Sequence, residues 1–212
     1  MANVPASKIH QVQKLRELLG SDVENGAQAL LGCNLVRGNM VAQIVETEAY
    51  TWDDPGCHAY KKNRMKNMAM YGEPGTSYVY FTYGNHWMVN VVADRDGTAG
   101  AVLIRAAMPL EGIEEFRANR PLIKKDRELM SGPGRLTNAF RIDSRHNMLD
   151  LFCLESELHI VESNCKPIVG VSRRIGIAIG KGDDLLRRYV DLANLQWTTA
   201  HKFNGELLGD NK

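Results

Sequence analysis

The sequence predicts an α+β fold, with a mainly antiparallel sheet and helices at its flanks. Three observations carry this expectation. The segment from Ser77 to Val92 sets two runs rich in aromatic and β-branched residues around Gly84-Asn85, a pair that favours a tight hairpin. Two further strand-like runs, Leu35–Tyr50 and Ala101–Ala107, lie on either side of it. Helical spacing falls mostly outside this central block, and that order reads as α+β with antiparallel pairing.

Taken in chain order, Ser7–Leu19 places Ile9, Val12, Leu15 and Leu19 on one helical face before a stop at Gly20. Ala27–Leu31 reads as a second short helix. Leu35–Tyr50 turns at Gly38-Asn39 and then carries Val41, Ile44 and Val45 in strand fashion. After the hairpin, Ala101–Ala107 should pair nearby. Residues 111–119 and 124–140 read as helical, the second interrupted at Ser131-Gly132-Pro133-Gly134. Short strands close the chain near His159–Val161 and Ile175–Ile179. Neither a repeat nor a linker divides the 212 residues, so one domain, 1–212, is expected, with 44% apolar side chains to build its core.

Composition narrows the function. No segment approaches 18 uninterrupted apolar residues, which argues against a membrane span. The opening MANVPASKIHQVQKL lacks the apolar centre of a secretion signal, so a cytoplasmic location is expected. Cys33, Cys57, Cys153 and Cys165 are too scattered for a zinc site or a disulfide scaffold; reduced thiols, no metal and no cofactor are expected. The net charge of +1 does not announce a nucleic-acid binder, but only a docking face must meet phosphates. Lys61, Lys62, Arg64 and Lys66 form one basic stretch. Arg173, Arg174, Lys181, Arg187 and Arg188 enrich a second, diluted by Asp183 and Asp184. Solvated surface charge is the commoner explanation of such runs, and alone they decide nothing.

The residues with chemical promise begin at Arg105, inside the apolar run AVLIRAA. A guanidinium there is costly to bury unless acceptors meet it; the other reading is a solvated strand edge. Glu46, Glu48 and Tyr50 would share one face of a strand. Two such close carboxylates favour one ionised base and one otherwise engaged group, unless they lie harmlessly on a surface. His58 follows the loop TWDDPGC, near enough in sequence to fold back beside Glu48. Tyr78, Tyr80, Phe81 and Tyr83 crowd one strand. Core packing explains most of them, but a tyrosine at a hairpin tip can project into a DNA stack.

These words together resemble the alkyladenine (3-methyladenine) DNA glycosylases. The matching segments are IVETEAY (44–50), His58 after a short acidic loop, PGTSYVYFTYGNHWMVNVV (74–92), AVLIRAAMPLEG (101–112) and DRELMSGPGRLTNAF (126–140), closed by RRIGIAIG and LLRRYV. The resemblance covers about residues 30–190. It implies a curved antiparallel sheet with a protruding hairpin, acting on double-stranded DNA that contains damaged purines. The implied reaction flips such a purine (3-methyladenine, 7-methylguanine, hypoxanthine or ethenoadenine) out of the duplex and hydrolyses its N-glycosidic bond.

By the same resemblance, Glu48 is similar to the general base, with His58 and Arg105 holding its water. Tyr50, His58 and Tyr80 resemble walls around the flipped base, Asn90 resembles the asparagine that obstructs the guanine 2-amino group, and Ile177 is similar to the residue whose backbone reads the base edge. Tyr83 matches the intercalating residue. The resemblance implies no strand-cleaving activity, and a monomer suits a protein that scans DNA. The loop between Tyr50 and His58 is one residue shorter than in mammalian members, and the turn and return strand read Asn85-His86-Trp87. The long mammalian N-terminal extension is missing, which suggests a compact bacterial form, associated with the nucleoid through DNA. Two other readings remain open: a catalytically silent nucleic-acid-binding module on this fold, and an enzyme of the same scaffold acting on nucleosides or RNA.

Overall fold

The structure, a computed structural model, describes residues 6–61, 64–82, 84–95, 97–200 and 203–208. Two helices lead, α1 (Ala6–Ser21) and α2 (Val23–Ala29). Asp22 separates them because its carboxylate accepts from the Glu24 and Asn25 amides, capping α2. Strands β1 (Asn34–Arg37) and β2 (Met40–Tyr50) follow, joined across the expected Gly38-Asn39 turn, where Gly38 takes φ +58°. The hairpin consists of β3 (Ser77–Thr82) and β4 (His86–Val92). Thr82 pairs with His86, so the connection spans 83–85, one residue longer than a two-residue turn. Then come β5 (Ala101–Glu111), α3 (Ile113–Asn119), α4 (Pro133–Phe140), β6 (His159–Val161), β7 (Val169–Ser172), β8 (Arg188–Asp191) and β9 (Glu206–Leu207).

All pairings are antiparallel, in the order β3-β4-β5-β2-β8-β7-β9, with β1 on β2 and β6 on β1. The class is therefore α+β, with an open antiparallel sheet and flanking helices. Strand β2 is its axis: β5 runs along one edge, while β1 and β8 share the other.

The two faces differ in character. On one, Ala42, Ile44, Ala49, Val89, Val91, Val102 and Ile104 join Leu15, Leu19, Ala27, Leu136 and Phe140 from the helices in the main core. The bulge at Val45 switches the phase of β2, and alternation then sends Glu46, Glu48 and Tyr50 of β2, Asn90 of β4 and Leu103 of β5 to the other. A smaller cluster including Cys57, Met70, Tyr78 and Val92 covers part of that second face. No helix among the described residues is long and apolar enough to cross a membrane.

Three expectations change. Residues 124–140 hold one short 3₁₀ turn, Asp126–Glu128, and helix α4 starts only at Pro133, because Ser131 is engaged in a bridge to Ala106. Glu111 belongs to β5, and helix α3 begins after Gly112, whose φ of +72° ends the strand. Ile175–Ile179 is a loop: Gly176 at φ +84° breaks the pleat, and the Ile175 amide donates to Glu48 instead of a neighbouring strand. The real strand there is β8, within the charged run LLRRYV, whose basic residues disguised its pairing.

Candidate active site

Strands β2 and β5 meet at a doubly irregular register. Ile44 pairs with Ala107, Glu46 with Ala106, Thr47 with Ile104 and Glu48 with Leu103, so Val45 and Arg105 are each skipped. Such irregularities re-aim side chains. Here the effect is to bring Arg105 between the two glutamates. Its Nε donates to Glu46 Oε1 at 2.9 Å, and its Nη1 lies 3.0 Å from Glu48 Oε2. Both carboxylates are fully buried and Arg105 is 5% exposed, so the open question of a solvated strand edge is settled against it.

Glu48 is further held by cleft residues. The Tyr50 hydroxyl donates to Oε2 at 2.7 Å, and the Ile175 amide donates to Oε1 at 2.8 Å. Burial, followed by the adjacent Glu48 charge, raises the Tyr50 phenol well above its usual 10.0, which keeps it a neutral donor. Burial opposes charge on Arg105, but Glu48 and then Glu46 more than offset it, so the guanidinium binds its proton more tightly than usual. Glu46 has different partners. Its Oε1 also accepts from Arg188 Nε at 2.7 Å, and its Oε2 accepts from the Thr199 amide at 2.6 Å. Burial would raise its pKa; Arg105 and then Arg188 overcome this and lower it below the usual 4.5. Two carboxylates and two guanidiniums thus balance in one buried quartet.

Above this quartet opens a cleft of about 670 Å³, within the range of ~300–1,000 Å³ common for small-molecule sites. Tyr50, His58, Tyr80, Asn90, Arg105 and Ile177 all line it, whereas Glu48 lies one layer behind its partners Tyr50, Arg105 and Ile175. His58 Nδ1 is 3.1 Å from the Tyr78 hydroxyl, and its ring meets Tyr80 edge-on with centroids 4.5 Å apart. The Asn90 side-chain amide donates to the Tyr78 carbonyl at 3.0 Å. Tyr83 lies outside the described residues; its neighbour Thr82 lines the cleft.

Two loops form the rim, and a buried arginine joins them. Arg174 pairs with Asp54, donates to the Ala49 carbonyl at 3.0 Å, and sets its guanidinium 4.6 Å from the Tyr50 ring centroid. Gly56 fits between them: a Cβ there would lie 3.0 Å from the Lys181 carbonyl and 3.2 Å from Arg174. The second basic region is therefore chiefly internal. Arg187 reaches Glu24 and Thr51, Arg188 reaches Glu46, and Lys181 is exposed while lining the cleft. The sequence offered no sign of this, since Asp54 reads as one more acid in a loop.

Residues 17–194 match the sequence profile of methylpurine-DNA glycosylases. The chain belongs to that family. A protein of Carboxydothermus hydrogenoformans, provisionally named 3-methyladenine DNA glycosylase, is 44% identical over 172 residues, covering 78% of this chain and 89% of its own. Proteins with the same provisional name from Chlorobium phaeobacteroides and Nitrobacter winogradskyi are 45% and 41% identical. They cover 70% and 82% of this chain, and 74% and 81% of their own. In this methylpurine-DNA glycosylase family member, the segments 44–50, 74–92, 101–112 and 126–140 all fall within the matched region. These segments supply β2, the hairpin, β5 and α4, the elements that frame the cleft.

Proposed function

We propose that the protein is a DNA repair glycosylase that extrudes a damaged purine from duplex DNA and hydrolyses its N-glycosidic bond, leaving an abasic site. The observation that carries this reading is the Glu48–Arg105 pair directly behind a cleft walled by Tyr50, His58 and Tyr80.

Extrusion costs a few kcal/mol, least for a lesion that pairs or stacks poorly. Tyr83 is assigned to fill the vacated stack. Within the cleft the base stacks on the tyrosine rings, and a positively charged alkylated purine gains cation–π attraction. Asn90 and the Ile177 backbone are assigned to its edge. Glu48 then takes a proton from the water that attacks the anomeric carbon. A carboxylate offers about four acceptor positions; Tyr50 and Ile175 donate to two and Arg105 lies 3.0 Å from Oε2, which leaves room for that water. Arg105 orients Glu48, and His58 helps to hold the water.

The substrates proposed are 3-methyladenine, 7-methylguanine, hypoxanthine and ethenoadenine. A cationic base leaves readily, so one general base suffices for the first two. The protein is read as a cytoplasmic monomer that releases the base without cutting the strand. Lys181, at the rim, is assigned to a backbone phosphate, not to an imine with the abasic sugar. An excision assay tests the whole reading by comparing alkylated duplex DNA, RNA and free nucleoside. Base release is expected from the duplex alone, with product strands intact until hot alkali is applied. Release from nucleoside or RNA but not from DNA would overturn it.

A further inference from the structure

The structure assigns to Glu46 and Arg188 a positioning role: together they hold the Arg105 guanidinium so that it meets Glu48 through Nη1 alone. The inference rests on the glycosylase reading above. Arg105 is gripped by both carboxylates, Nε on Glu46 and Nη1 on Glu48. Glu46 is itself immobilised from three directions, by Arg105 of β5, by Arg188 of β8 and by the Thr199 amide beyond β8. Arg188 is in turn fixed by β7, where its Nη1 donates to the Ser172 hydroxyl at 3.0 Å. These residues are all at most 5% exposed apart from Thr199, so water does not loosen the arrangement.

The consequence follows from guanidinium geometry. An arginine facing a single carboxylate prefers the bidentate fork, with two parallel N–H donors on its two oxygens. Arg105 without Glu46 would close on Glu48 in that way and fill the acceptor position left for water. Glu46 prevents this by occupying the Nε side. Arg188 balances the second carboxylate, so that the quartet stays neutral.

The test uses full-length protein, with Glu46→Gln paired with Arg188→Met so that one buried guanidinium still faces one buried carboxylate. Three quantities are measured: affinity for lesion duplex, flipping amplitude of a fluorescent lesion analogue, and the single-turnover excision rate at saturating protein. Expected are affinity and flipping within about twofold of wild type, with excision slowed by about 10- to 100-fold, as small misplacements near reacting groups do. Glu46→Asp, which keeps the charge but withdraws it, should show the same split at smaller size. Equal excision in both variants, or parallel loss of binding and rate, would overturn the inference. Wild-type protein that does not excise would overturn the glycosylase reading as well, so the two failures are distinguishable.

Discussion

Glu46 and Glu48 leave the same face of β2 two residues apart, are both fully buried and both touch Arg105, yet they sit in different company. Glu46 is enclosed by two guanidiniums and the Thr199 amide, and of these only Arg105 reaches the cleft. Glu48 meets one guanidinium, and all three of its partners line the cleft. The first environment closes around its carboxylate; the second sets its carboxylate behind a cleft that a ligand can enter. Identical residue types on one strand are thus given an enclosed setting and a cleft-side setting by what β8 and the 174–182 loop bring to them, and the proposed function assigns the reactive role to the second.

The largest effect should come from Glu48→Gln. The amide keeps the shape but cannot take a proton, and a positioned base contributes about 10²–10⁴-fold. Single-turnover excision should fall by that factor, while lesion duplex is bound and flipped as before. A rate equal to wild type would break the comparison at its functional end.

The structural end is tested by unfolding in urea. Glu46→Ala leaves Arg105 and Arg188 against one carboxylate, and removing one partner of a buried pair typically costs about 3–5 kcal/mol. Glu48→Ala also leaves two guanidiniums against one carboxylate, but both still touch Glu46, so its cost should be nearer that of a lost hydrogen bond to a charged group, about 1.5–3 kcal/mol. The reverse order of stability would show that the two carboxylates have been assigned the wrong way round.

Much of this division was legible in the residues. Alternation put Glu46, Glu48 and Tyr50 on one face, and like charge two residues apart implied that the two carboxylates would have different surroundings, as they do. The hairpin, β5 and α1 were readable because aromatic runs, turn residues and helical spacing are local signals. The partners that enforce the division were not readable. Arg188 lies 142 positions from Glu46, Arg174 lies 120 from Asp54, and Ile175 contributes a backbone amide that no side-chain pattern records. The skipped register at Val45 and Arg105 is likewise set by pairing between strands.

Acid should sharpen the difference. The folded pKa of Glu46 is lowered, so its ionised form stabilises the fold above the unfolded value of 4.5, and that contribution is lost as pH falls below it. Melting temperatures of wild type should therefore fall as pH drops below 4.5. Glu46→Gln has no such proton to bind and should start lower but fall less. Parallel curves for the two proteins would mean that other groups govern the acid limb.

The smallest effect separates internal from external cations along the 173–188 stretch. Arg174, Arg187 and Arg188 are committed to Asp54, Glu24 and Glu46, whereas Lys181 is exposed at the rim of the cleft. A cation that neutralises a DNA phosphate displaces a condensed counterion, which adds about 0.9 to the slope of log affinity against log salt. Lys181→Ala should reduce that slope by about one and weaken binding to damaged and undamaged duplex alike. The charge-balanced Glu46→Gln, Arg188→Met pair removes a cation too, but one already neutralised inside the protein. Its slope should match wild type. If the buried change altered the slope and Lys181→Ala did not, the phosphate-facing surface would lie elsewhere, and the cleft rim would lose its assigned contact with the DNA backbone.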